Sequence, residues 1–219
     1  MATRRNRRPT DEAMGGLQAA YDHFNAVLFG GQLPAVLLTL QRKSKRSYGY
    51  FSPRRFSDGR ERTDELAMNP MHFHTREPIE ALSTLAHEMA HVWQAHFGKS
   101  GRGKYHNREW GTKMKEIGLY PSNTGAAGGK ETGDQMSHYI VAGGAFERCA
   151  LRFLEGGFRL QWGEPGLEPE EAQPGAVVGA EVDRTNRARF SCASCGLKAW
   201  AKPTAKLVCG ECRTDLCIQ

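Results

Sequence analysis

Long apolar runs are missing from this 219-residue chain. Nothing approaches the roughly 20 consecutive apolar residues a membrane span needs, and no apolar stretch follows the basic start MATRRNRRPT as it would in a secretory signal. A cytoplasmic protein with no membrane partner is expected. Cysteine is scarce too. Of six, four are bunched as CASC and CGEC near the C-terminus, which excludes a disulfide framework spread through the chain and reads instead as metal-ligand spacing. Cys149 and Cys217 are left over as reduced thiols. Bases are absent from residues 164–183, where six acids sit among Pro and Gly in the manner of a linker.

Elsewhere the composition is that of a folded protein, 39% hydrophobic and 25% charged, long enough for one main core and a satellite. The net charge of +6 is unevenly spread: residues 1–60 carry 11 Lys or Arg against 4 Asp or Glu. Such segregation favours a polyanionic partner, most often nucleic acid, although a basic tail such as RRNRR is equally the mark of a solvated end.

Leu17, Ala20, Tyr21, Phe24 and Leu28 recur at helical spacing behind Asp11 and Glu12, and Gly30 with Gly31 stops the pattern. Three short runs follow, AVLLTLQ, SYGYFS and DELAMNP, which predict a small, mostly antiparallel sheet. A second helix opens at Pro78 with a broad apolar face as far as Gly98, and a shorter third carries Trp110, Met114 and Ile117 with Gly118 at its cap. The Gly-rich insertion 121–134 has almost nothing to bury and reads as a mobile surface loop. MSHYIV and GFRLQW read as strands flanking a helical AFERCALRFLEGG. The expected organisation is a basic tail over 1–9, a main domain over 10–163, an acidic linker over 164–187 and a small module over 188–219.

The second helix contains LAHEMAHVW. Residues four apart share a helix face, so His87 and His91 can aim at one point with Glu88 beside it, the spacing of HExxH zinc enzymes. A catalytic zinc takes a third protein ligand and keeps one position open. His96 lies on the same helix turned away from the pair, and Gln94 and Phe97 stand where a metzincin would have Gly and His. His106, behind the flexible KSGRGKY loop, is the preferred third ligand. Glu109 is its competitor, otherwise an outer hydrogen-bond partner. With zinc bound, Glu88 would act as general base in amide hydrolysis. Tyr105, His138 and Tyr139 are candidates for stabilising the oxyanion, none of them assigned. His72 and His74 form an alternating pair better explained as surface or strand histidines than as a second metal site.

The terminal pairs Cys192, Cys195, Cys209 and Cys212 enclose thirteen residues, long enough for a hairpin, and suit a closed structural zinc in a ribbon too small to fold without it. Around Trp200 the ribbon carries Lys198, Lys202 and Lys206. This suits single-stranded nucleic acid, with the ring stacking on bases and the cations following the backbone, unless Trp200 simply fills the ribbon core.

Through LFGGQLP, YGYFSP, HEMAHVWQ, KYHNREW and the terminal CASCGLKAWAKPTAKLVCGEC, the chain resembles the SprT-like family of zinc metalloproteases. The resemblance implies an α+β, zincin-like minimal protease domain followed by a zinc ribbon. It also implies His87, His91 and His106 as ligands of a catalytic zinc, Glu88 as general base, and DNA-dependent cleavage of proteins bound or crosslinked to DNA. A different reading, a nucleic-acid-binding regulator whose HExxH zinc is not catalytic, fits the same residues.

Overall fold

A computed structural model describes residues 8–42, 47–103, 105–164, 188–201 and 204–218, with the backbone alone for Ala188 and Trp200. The chain divides into two compact units, Met1–Glu168 and Pro169–Gln219.

Helix α1, Pro9–Leu28, starts one residue inside the expected basic tail, because proline suits the first turn of a helix and Asp11 and Glu12 complement its N-terminal dipole. It buries Leu17, Ala20, Tyr21 and Phe24. The chain then turns through left-handed Gly30 and Gly31 (φ 63° and 71°), and the Asn25 side chain holds the turn by bonding both the N–H and the carbonyl of Leu33. Strands β1 (Leu37–Leu40), β2 (Gly49–Ser57) and β3 (Arg62–Met68) form a sheet of order β1-β3-β2. All strand pairings among the described residues are antiparallel except that of β1 with β3, which is parallel.

Helix α2, Pro78–Phe97, is the centre of the unit. Residues from Ala81 to Ala90 are buried without interruption, as expected of a helix covered on several sides. It packs against β2 and β3 and against α1, α3 (Arg108–Glu116) and α4 (Ala145–Glu155). Strands β4 (Leu119–Ser122) and β5 (Ser137–Ile140) make a separate antiparallel pair.

Two sequence expectations fail here. The insertion 121–134 is not simply a surface loop: Pro121 and Ser122 belong to β4, the Ser122 side chain is buried, and its hydroxyl donates to the Ala126 carbonyl at 2.5 Å. Its distal end pairs with His106 in an isolated bridge through Gly133. GFRLQW is not a strand either. After α4 the segment docks onto helices instead of a sheet edge, with Phe158 stacked on Phe153 and the Trp162 indole N–H donating to Glu12 on α1.

The second unit holds a three-stranded antiparallel sheet of β6 (Ala188–Cys192), β7 (Lys198–Ala201) and β8 (Leu216–Ile218), ordered β7-β6-β8. Its core is minimal: Phe190, Cys192, Cys209 and Leu216. The acidic segment 165–187 lies outside the described residues.

Candidate metal centres

His87 and His91 stand one turn apart on α2 with ring centroids 5.2 Å apart. What brings His106 to them is a knot at the end of the helix. Buried Gln94 donates its amide to Asn107 Oδ1 at 2.7 Å, to Glu109 Oε2 at 2.9 Å and to the Lys99 carbonyl at 3.3 Å, folding residues 98–107 back on α2. Asn107 caps α3 by accepting from the Trp110 N–H. Glycine at 98 leaves room for the Glu109 carboxylate, which a Cβ there would approach to 2.5 Å and displace. His106, just before the cap, lies 4.7 Å from the His91 ring and 5.5 Å from that of His87.

Ligand-capable atoms of His87, His91 and His106 all fall within 4.8 Å of one another. Glu109 is outside this cluster. Its carboxylate accepts from Gln94 and from the Lys99 N–H at 2.6 Å, so it ties the loop and bonds no histidine of the cluster, contrary to the outer-partner expectation. His96 points elsewhere and bonds Asp64 at 2.7 Å.

Trp110, fully buried, forms a wall against all three rings at 4.9, 5.3 and 4.5 Å. Its truncation removes this common support. Trp110→Ala is expected to lower stability by about 3–5 kcal/mol and to weaken metal binding at the histidines, which urea unfolding with and without zinc would measure.

Electrostatics make the trio suitable for a cation. Burial, reinforced by the neighbouring histidines, holds the His87 pKa well below the ordinary value. Burial and then His106 push His91 down to about 3. The rings of His87 and His91 are therefore neutral near pH 7, the form that ligates metal. The His106 Nδ1 donates to the Gly133 carbonyl at 3.1 Å, which sets the ring with its proton on that nitrogen. Glu88 is buried beside them with its pKa raised to about 8 by burial, the Phe51 backbone N–H pulling the other way. Strand β2 can pass this close because residue 49 is glycine: a Cβ there would meet the Ala67 carbonyl at 2.9 Å and Glu88 Cγ at 3.3 Å.

The matched segment spans all of this. Residues 17–127 match the SprT-like family, from inside α1 through both histidine-bearing segments to the loop after β4. The chain belongs to the SprT-like family. Membership suggests a zinc metalloprotease-like function, and the three converging imidazoles are consistent with zinc. This SprT-like protein is also similar to a Salmonella typhimurium protein described as "Uncharacterized protein in mucB 3'region", 57% identical over 48 residues. That stretch is 22% of this chain and 64% of the relative, so the chain spans less than two thirds of the relative's length. No solved structure matches.

Among the other sequence candidates, His138 was in view only as an unassigned oxyanion group. On β5 of the SprT-like protein it faces His87 instead, with their Nδ1 atoms 3.1 Å apart, and burial and then Arg76 lower its pKa to about 4. Its one legible signal was its place in the alternation of MSHYIV. Tyr139 stacks on Tyr120, and Tyr105 is exposed. His72 lies edge-on to Tyr48 and, like His74, joins no metal-ligand group among the described residues.

In the second unit, Cys192, Cys195, Cys209 and Cys212 also bring their sulfurs within 4.8 Å. Two similar turns present them. Gly196 and Arg213, each following the second cysteine of a pair, both take left-handed backbone (φ 73° and 51°). The Thr214 hydroxyl and nearby backbone N–H groups lower the Cys192 thiol to about 6, while its sulfur neighbours push Cys212 up to about 12. Four converging cysteine sulfurs are a donor set that fits zinc. Lys198 and Lys206 are exposed; the Trp200 side chain and Lys202 lie outside the described residues. No helix among the described residues is long and apolar enough to cross a membrane.

Proposed function

We propose that this protein is a zinc-dependent, HExxH-type endopeptidase of the SprT-like kind, acting in the cytoplasm on proteins bound or crosslinked to DNA. The observation that carries the reading is the convergence of His87, His91 and His106, whose ligand-capable atoms lie within 4.8 Å of one another, with buried Glu88 alongside. These histidines hold the catalytic ion, and the four cysteines hold a second, structural one.

Zinc at the histidines supplies Lewis-acid chemistry, polarising a peptide carbonyl and easing deprotonation of water. The protein's own groups do the rest. Glu88 takes the proton from the attacking water and delivers it to the leaving amine. Its place on α2 directly beside the ligand His87 fits this role. Trp110 and the α2 packing hold the ligand rings and keep one side of the site dry.

Several features support a DNA partner. Arg54 and Arg55 are exposed on β2, the strand that passes Glu88, and Arg60 is exposed in the turn between β2 and β3. In the ribbon, register position 200 falls on the same alternation as Lys198 and Arg189, whereas Phe190 and Ala199 fall on the other. Lys198, Trp200, Lys202 and Lys206 are proposed to follow single-stranded DNA by stacking and charge.

The test is zinc-loaded protein incubated with a DNA-binding protein substrate, with and without single-stranded DNA. Cleavage that rises with DNA and falls steeply with salt is expected. DNA retention with no cleavage under any condition would instead favour a binding regulator with a non-catalytic zinc.

A further inference from the structure

We infer that His138 and Ser83 form a directed hydrogen-bond relay that fixes the tautomer of His87 and so presets its Nε2 to receive a metal; this rests on the reading of His87 as a ligand. The direction of the relay follows from one carbonyl. Ser83 Oγ lies 2.8 Å from the Glu80 backbone oxygen, which can only accept, so the single hydroxyl proton is spent there.

Ser83 Oγ must therefore accept from its other neighbour, His138 Nε2, at 2.9 Å. A neutral His138 that carries its proton on Nε2 has a bare Nδ1. That atom sits 3.1 Å from His87 Nδ1 and accepts its proton. His87 is left with the lone pair of Nε2 unshared and available to the cluster formed with His91 and His106.

The relay joins two elements of secondary structure, α2 and β5. Ser83 is one helical turn before His87 on α2, and Glu80 lies one turn further back. His138 is fixed by its β5 register opposite Pro121 of β4. The β4–β5 pair, outside the helix that carries the motif, thus sets the protonation pattern of a metal ligand. His106 reaches the same end by a simpler device, the Gly133 carbonyl on its Nδ1. His138 is a positioning residue, acting through His87 rather than on substrate.

The test uses full-length protein and two readouts. Long-range ¹H–¹⁵N correlation of the histidine rings before metal is added should find His87 protonated on Nδ1 in the wild type. In His138→Ala it should find His87 shifted towards the Nε2–H form that free imidazole side chains prefer. Metal affinity at the histidines, read by chelator competition, should fall about tenfold to a hundredfold in His138→Ala. Cobalt charge-transfer bands, which only the cysteine site produces, should stay unchanged.

His138→Gln keeps an acceptor for His87 and a donor for Ser83, and should restore most of the affinity, which a purely space-filling role would not require. An unchanged His87 tautomer together with unchanged affinity in His138→Ala would overturn the relay. A wild type that binds no metal at its histidines would sink the protease reading instead, while the tautomer measurement would still decide the relay.

Discussion

Replacing Glu88 with Gln is expected to reduce peptide-bond cleavage by about a hundredfold to ten-thousandfold, the usual span for losing a general acid–base group, while leaving zinc at the histidines. The amide keeps the shape of the side chain but cannot take a proton from water. Cleavage of a protein substrate, measured beside zinc content, checks both halves. Residual activity near the wild-type level would remove Glu88 from the mechanism.

The same variant makes a pH-dependent stability prediction. Burial raises the Glu88 pKa from the ordinary 4.5 to about 8 in the metal-free fold. The folded protein therefore holds a proton that the unfolded chain gives up. Stability from this group is complete below its unfolded pKa and is lost as pH rises through the folded one. The amide of the variant does not titrate and loses nothing. Metal-free Glu88→Gln should thus be more stable than wild type by a few kcal/mol near pH 9, about 1.4 kcal/mol for each unit of pKa difference. The gap should close as the pH falls to the unfolded carboxyl range. The depressed histidines act in the opposite sense, favouring unfolding as acid protonates them, but they are common to both proteins and cancel in the comparison. Thermal melts across that pH range would decide it.

The second large effect concerns the ribbon. Its apolar core is a handful of side chains, two of them the cysteines themselves, so metal is expected to supply most of its folding free energy, on the scale of the ~10–16 kcal/mol of structural zinc in small fingers. Cys209→Ser, at a fully buried ligand, should remove one equivalent of zinc and expose residues 188–219 to limited proteolysis. Metal at the histidines should persist, because the first unit has its own extensive core. Under the proposed function, stimulation by single-stranded DNA should be lost with the ribbon. A Cys209→Ser protein that still resists proteolysis there would show that the ribbon folds without metal.

Most members of both candidate metal-ligand clusters were legible in the sequence for a physical reason: they are local. His87 and His91 are related by helix periodicity, and each cysteine pair by a single turn, so spacing alone predicts that they converge. The helices were legible through their apolar periodicity, and most strands through β-rich runs punctuated by turns. GFRLQW shows where that reasoning stops. A strand exists only if a neighbour offers an open edge, and here α1 offers a docking face instead.

The remaining parts of the site depend on contacts distant in sequence. Whether His106 or Glu109 meets the HExxH pair could not be decided from spacing, because both lie a similar distance along the chain. Gln94 decided it by taking the Glu109 carboxylate into the knot that folds the loop back. His138, fifty-one residues from His87, carries no local pattern linking the two, and the Gly-rich insertion gave no hint that its far end would hold His106. The sequence by itself determined the chemistry available, which residue types stand at ligand spacing on elements strong enough to form. Only the tertiary structure decided which partner each ring's Nδ1 meets, as at His87 and His106, since that depends on groups brought near by packing.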